Sequence, residues 1–293
     1  MRFTVFTPTY NRRDLLPRLY ASLQRQTFTD FEWVIVDDGS NDGTDELISG
    51  YISEKNNFPI IYRWIENGGK PGAVNLGVSL ARGELFVILD SDDYLTDSAL
   101  EITDRYEKTI PHGTKKSYAG VCGLKGYESG DAIGKSFATG QYFDCTNLER
   151  IKNGILGDKS EAIYTDVMKK YPLPIFEGEK FITESIILDR MAHDGLNFRY
   201  FNEITMICEY RADGLSDQGK RLFVANPKGY GLYLYECGKF RRHGFKQRVI
   251  SYASYVNTYR ESLSDKEIAE NLRSSVFKVK LVKFCLKILR KGK

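Results

Sequence analysis

In the N-terminal third of the chain, short apolar runs alternate with stretches whose apolar residues recur at helical spacing. The runs FTVFT (3–7), FEWVIVDD (31–38), IIYRWIE (60–66) and LFVILD (85–90) predict strands. Between the first two, Leu15, Leu16, Leu19 and Leu23 share one helical face, with Asp14 placed as an N-cap and Pro17 tolerated in the first turn. Further helices are expected over 44–54, over 71–81 and from near Thr96. Strands alternating with helices of this length predict a parallel sheet covered on both faces. Ligands of such sheets lie beyond the carboxyl ends of the strands. Residues 7–11, Asp37 and Asp38, residues 66–70 and residues 90–93 each follow a strand, so they are expected to converge on one rim.

The second half is less regular. SYAGVCGL (117–124) predicts a strand, 123–140 a glycine-rich loop, 183–194 a helix and 199–210 two short strands. After Arg221 the pattern is helical to the end. A boundary within 215–225 divides a domain of residues 1–220 from a helical extension of residues 221–293.

Composition narrows the function. The 293 residues are 42% hydrophobic and 28% charged, as in ordinary globular proteins, and no internal repeat is present. MRFTVFTPTY leads straight into a strand without a signal-peptide core, and no apolar run is long enough to span a bilayer. The five cysteines are scattered without CxxC spacing and the three histidines form no ligand motif, so neither a disulfide framework nor a zinc site is expected. A reducing cytoplasm is the simple reading. The net charge of +3 is uneven: residues 271–293 carry eight Lys or Arg and no acid, and the remainder has a net charge of −5. An acidic body with a basic tail does not suit a nucleic-acid binder.

The chemistry concentrates in FVILDSDDYL (86–95), where an apolar strand runs into Asp90, Asp92 and Asp93. Such charge is costly without a positive partner. Asp90-Ser91-Asp92 offers hard oxygens suited to Mg²⁺ or Mn²⁺, with the remaining ligands coming from substrate phosphates. The alternative is a helix-capping cluster. A segment spelled GDAIGKS (130–136) is one residue short of a P-loop and follows no apolar strand, so it is not read as a phosphate cradle. No G-x-G-x-x-G follows the first strand, which argues against a dinucleotide-binding domain.

TPTYNR (7–12), WVIVDDGSNDGT (33–44), ENGGKPGAVNLG (66–77) and FVILDSDDYL occur in this order. Together they closely resemble the family 2 glycosyltransferases, over residues 3 to about 216. The resemblance implies a GT-A-like fold: a mostly parallel sheet flanked by helices. It implies that Thr7, Pro8 and Tyr10 wall a nucleobase, and that Asp38 accepts the N3–H of uracil, which cytosine lacks. Asp37 is read as a turn residue with Gly39. Lys70, Asn75 and Ser91 are expected toward the diphosphate or ribose, Asp90 and Asp92 toward Mn²⁺ or Mg²⁺, and Arg211, with Tyr210 and Ser216, on a closing loop. The family is usually inverting, with a catalytic acid six residues before an arginine. Glu184 and Arg190 have that spacing, so Glu184 is the expected base and Glu179 the reserve. Gln218 to Leu222 lacks the tryptophan of processive synthases, so a non-processive enzyme is expected.

By that resemblance the expected substrates are a UDP-linked nucleotide sugar and a glycan acceptor carried on a polyprenyl diphosphate, in bacterial cell-surface polysaccharide synthesis. A protein or soluble acceptor, and a non-catalytic nucleotide-sugar-binding protein, are the alternatives. In VFKVKLVKFCLKILRKGK (276–293), Lys280, Lys283, Lys287, Arg290 and Lys291 fall on one arc at helical spacing. Phe277, Leu281, Phe284, Cys285, Ile288 and Leu289 occupy the other side. This basic amphipathic helix is expected either to lie on the anionic inner face of the cell membrane or to pack on the domain.

Overall fold

The computed structural model describes residues 1–135, 137, 140–209, 215–240 and 244–291, with side chains left undescribed at 215–218, 220 and 289–291. The chain divides into two compact units: Met1–Leu173 with Arg190–Arg211, and Pro174–Asp189 with Ala212–Lys293. The second unit therefore includes a segment from the middle of the sequence, well before the expected boundary.

The first unit is built on β1 (Phe3–Thr9), α1 (Leu16–Gln24), β2 (Phe31–Asp37), α2 (Thr44–Ser53), β3 (Ile60–Trp64), α3 (Lys70–Leu80), β4 (Leu85–Ile88), β5 (Tyr94–Leu95) and α4 (Ala99–Lys108). A 3₁₀ turn (His112–Ser117), β6 (Tyr118–Gly126), β7 (Tyr142–Thr146), β8 (Lys159–Tyr164), α5 (Thr165–Met168) and β9 (Asn197–Ile207) follow; of α6 (Ser185–His193), the residues up to Asp189 belong to the second unit and those from Arg190 to the first. The strand order is β3-β2-β1-β4-β8-β6-β9-β5, with β7 also on β9. β3, β2, β1 and β4 are parallel, as the βα alternation predicts. β8 then runs antiparallel to both β4 and β6. β9 is one continuous strand, parallel to β6 with register shifts, where two short strands were expected.

Every residue of β1 and β2 is buried, which is what helices on both faces require. Leu16, Leu19, Tyr20 and Leu23 form the buried face of α1. That helix begins one residue later than expected: Leu15, not Asp14, is the N-cap residue, and no side chain caps it. Pro17 occupies the first turn as expected. Gly77 of α3 lies so close to β1 that a Cβ there would stand 2.2 Å from the Phe6 ring. At the opposite end of the sheet, Arg2 is held by Asp104, Glu84 and the fully buried Glu107, to which Lys115 and Tyr164 also bond.

The second unit adds α7 (Leu215–Ala225), α8 (Pro227–Lys239), α9 (Phe245–Tyr259), α10 (Asp265–Asn271) and α11 (Val276–Lys291). Its core gathers Tyr255, Val256, Tyr259, Ile268, Leu272 and Val279. The α10 N-terminus carries a capping box between Ser264 and Glu267. Val279 buries one side of α11, and Lys283 is drawn to that side, 2.5 Å from Asp265. Lys283, at the edge of the basic arc, is thus spent on an intramolecular ion pair. Phe277, Leu281, Phe284 and Ile288 stay exposed. Among the described residues, no helix is long and apolar enough to cross a membrane.

Candidate active site at the strand ends

Three loops meet where β1, β2 and β3 end. Thr9 pairs with Asp37 in register, and the Asp38 amide donates to the Thr9 carbonyl at 2.8 Å. Asn11, at φ +50°, accepts from the Asn41 amide and donates its own to the Ser40 hydroxyl. Asp42 accepts from the Arg13 amide and from Thr44. The Asp38 carboxylate, only 6% exposed, takes one backbone N–H on each oxygen, from Gly68 and Gly69, both at 2.9 Å. Asn67 donates to the Asp38 carbonyl in return. Gly39 is required at this junction: its φ is +89°, and a Cβ would meet Asn67 at 2.9 Å. Asp37 accepts from the Ser40 amide and the Tyr62 hydroxyl, which is the turn role expected of it.

The end of β4 brings the carboxylates of residues 90–93 among cations. Lys70, the first residue of α3, places its ammonium 2.7 Å from Asp90 Oδ1. Lys125, from β6, stands 3.4 Å from Asp93 Oδ2, and the Cys208 thiol donates to the same oxygen at 3.1 Å. Arg18 donates to the Asp92 carbonyl at 2.8 Å, pairs with Glu209 and lies over the Tyr94 ring. Burial alone would raise the Asp90 pKa, but Lys70 and Lys125 outweigh it and hold that carboxyl below the usual range. Burial, together with the Asp90 charge, pushes Asp92 up, while Arg12 and Lys70 oppose this. Burial carries Asp93 up to about 6 against the pull of Lys125. Lys70, Lys125 and Arg12 therefore provide part of the positive charge that this acidic strand end demands, enough for Asp90 but not for Asp92 or Asp93.

The predicted residues separate by what their side chains do. Tyr10 is 50% exposed at the rim, free to present its ring, and Pro8 is buried in the strand. Thr7 is fully buried and its hydroxyl accepts from the Trp33 indole at 3.0 Å. Thr9 is the neighbour that sequence reasoning passed over. Its buried hydroxyl finds no hydrogen-bond partner among the described residues. The Asn75 side-chain amide donates to the Leu173 carbonyl and accepts from the Leu173 amide, both at 2.9 Å, so it anchors the chain at Leu173. Ser91, between Asp90 and Asp92 in the chain, is buried. Arg211 and Tyr210 lie outside the described residues, as does the Ser216 side chain.

In the second unit, Glu184 immediately precedes α6, and its carbonyl accepts from the Ile187 amide. Thr183 links to Ser185 through their hydroxyls at 3.0 Å. Arg190 lies within α6. Glu179 is committed elsewhere. Its two oxygens accept the Lys228 and Gly229 amides at 2.6 and 2.8 Å, capping α8 as a carboxylate at a helix N-terminus should.

Among the described residues, no three His, Cys, Asp or Glu side chains are grouped to hold a metal by themselves. Asp90 and Asp92 still fit Mg²⁺ or Mn²⁺, which take one or two carboxylates and complete their shell with water and phosphate oxygens. Burial and mutual repulsion leave Asp92 short of positive charge, which a divalent ion would supply.

The sequence description "Glycosyl transferase family 2" matches residues 4–109. Over 288 residues the chain is 27% identical to "Glycosyltransferase GlyG" of Streptococcus pneumoniae serotype 4, spanning 95% of this chain and 85% of that protein. It is 25% identical over 275 residues to "GalNAc(5)-diNAcBac-PP-undecaprenol beta-1,3-glucosyltransferase" of Campylobacter jejuni, spanning 94% and 75%. Among solved structures, S. aureus TarS 1-349 in complex with UDP-GlcNAc matches with a TM-score of 0.64 at 16% identity, over 100% of this chain and 93% of that one. That likeness shows a common GT-A-like fold.

Proposed function

We propose that this chain, whose residues 4–109 match glycosyl transferase family 2, moves one hexosyl or N-acetylhexosaminyl unit from a UDP-sugar to a hydroxyl of a lipid-linked glycan. The observation that carries this reading is the acidic strand end at Asp90 and Asp92, ringed by Lys70, Lys125 and Arg12 beside the Asp38 turn.

The residues divide the work. Asp38, a carboxylate held in place by the Gly68 and Gly69 amides, accepts the uracil N3–H. Tyr10 offers a face for the base. Lys70 exchanges Asp90 for a phosphate oxygen when the donor arrives. Asp90 and Asp92 would hold a divalent ion, and the chemistry it would supply is charge stabilisation of the leaving diphosphate. Glu184 takes the acceptor's proton as its oxygen bonds to the anomeric carbon. The bond from that carbon to the diphosphate breaks on the opposite side, and configuration inverts. The C. jejuni relative's name specifies an undecaprenol-linked substrate, and the exposed apolar row of α11 suits a protein working against a membrane surface.

The test is UDP release from a panel of UDP-sugars with Mn²⁺, with and without EDTA. Asp92→Asn is expected to lower turnover by about two orders of magnitude or more with an unchanged melting curve. Full activity in excess EDTA would remove the metal from the mechanism, and absence of UDP release from every sugar would remove the donor class.

A further inference from the structure

The second unit contains a cavity of about 450 Å³ between α8, α9, the end of α10 and the start of α11. Four of its lining residues are cations: Lys239, Arg248, Arg273 and Lys278. None of the described residues lining it is acidic. Hydroxyls complete the wall, with Tyr252 donating to Ser274 at 2.9 Å. Four like charges around one concavity repel one another, and the arrangement is relieved by an anion.

Arg273 adds an independent observation. It follows α10 in the left-handed region, at φ +46°. The Arg273 and Ser274 amides close the helix end on the Glu270 and Ala269 carbonyls, at 3.0 and 2.8 Å. Glycine ordinarily occupies this position, because a side chain there strains the backbone. The arginine is kept despite that strain. Its guanidinium lies 5.4 Å from the centre of the Tyr235 ring in the wall of the cavity. A strained residue held at a concave charged site points to a role for its side chain.

The neighbouring surface indicates the source of the anion. Lys278 lies on α11, the helix that exposes Phe277, Leu281, Phe284 and Ile288. These four residues recur at spacings of four, three and four and form a single stripe. One helix thus contributes a wall of a cationic cavity and, on the adjoining face, an apolar row. A molecule with a phosphate head and hydrocarbon chains matches both. We propose that this cavity binds the phosphate headgroup of an anionic membrane lipid while the apolar row enters the hydrocarbon beside it. The proposal rests on the membrane-surface part of the function above and gives it a specific site.

The experiment uses the full-length protein and co-sedimentation with vesicles of phosphatidylcholine, with and without phosphatidylglycerol. The cavity variant is Arg248→Gln with Arg273→Gly. Its control is Lys280→Gln with Lys287→Gln, which removes equal charge from α11 outside the cavity. Glycine relieves the positive φ, so the cavity variant should keep its melting temperature and its UDP affinity. The wild type should prefer phosphatidylglycerol vesicles, and the cavity variant should lose about tenfold more of that preference than the control. Phe277→Ser with Phe284→Ser should weaken binding to both vesicle types. Equal losses in the cavity variant and its control would mean diffuse attraction and overturn the site while leaving membrane binding in place. A wild type that ignores vesicles would overturn the lipid. If inorganic pyrophosphate, added with saturating UDP, then raised its melting temperature but not that of the cavity variant, the cavity would be a site for free anions instead.

Discussion

The two charged regions of this protein are organised in opposite ways. At the strand ends of the first unit, acids and bases face one another and nearly every polar group is used. Lys70 meets Asp90, Lys125 meets Asp93, and the Asp38 carboxylate ties down two backbone amides. In the second unit, four cations line a cavity without a described acid, and an apolar row stands in solvent. In the proposed reading the first arrangement is held ready: a nucleotide would replace contacts already made, at a site ordered before its ligand arrives. The second has unspent charge and unburied apolar surface, and is completed only by something outside the chain.

The largest effect that separates architecture from chemistry concerns two glutamates of the second unit. Glu184→Gln should lower transfer by about 10²–10⁴-fold while UDP-sugar affinity stays within a few-fold, as expected for a positioned base. Single-turnover kinetics with a separate UDP titration measures both. Near wild-type transfer would show that the proton leaves by another route.

Asp38→Ala tests whether the strand-end network is as closed as it looks. The substitution strands the Gly68 and Gly69 amides, of which the second bond is buried. A stability loss of about 2–4 kcal/mol is expected in urea unfolding, alongside weaker UDP binding by calorimetry. Loss of UDP affinity with unchanged stability would mean that the loop is held by other contacts.

Glu179→Gln should be smaller still and fall on stability alone. It weakens the cap on α8 by about 1–2 kcal/mol, and turnover per folded molecule should be unchanged. A fall in turnover comparable to that of Glu184→Gln would restore Glu179 as a base.

The parallel half of the sheet was legible because apolar strands and amphipathic helices have distinct periods, and β1 to β4 appear close to where those periods put them. The rim followed, since polar residues after successive parallel strands must share one edge. Side-chain direction was less accessible. Thr7 and Asn75 lie in polar motifs, yet one is spent on Trp33 and the other on Leu173, partners remote in sequence. Lys125 reads as one polar residue in an apolar stretch, and only the pairing of β6 with β9 brings it to Asp93. Periodicity also divided β9 in two, because register shifts against β6 interrupt its alternation. At the C-terminus the helical pattern was plain. Which apolar residues pack and which stay exposed depended on where α9 and α10 lie, and Val279 was assigned to neither side.

The smallest expected effect tests an exception within the first unit. Glu161, on β8, is a half-buried acid whose pKa is raised by burial from 4.5 to about 7, with Lys125 and Arg150 offsetting only part of that penalty. The sign follows from which state ionises first. Below pH 4.5 the carboxyl is protonated in folded and unfolded chains alike, and contributes no pH dependence. Between pH 4.5 and about 7 the unfolded chain releases its proton while the folded chain retains it, so stability declines as pH rises. Above pH 7 the full penalty is present and no longer changes. Glutamine does not titrate and is nearly isosteric, so Glu161→Gln should melt higher than the wild type at pH 8, by a margin worth about 1–2 kcal/mol. At pH 4.5 the two curves should nearly coincide. Melting curves at both values measure the difference. A constant offset across the range would mean that Glu161 ionises in the fold as readily as outside it, and that Lys125 and Arg150 neutralise it as fully as Lys70 neutralises Asp90.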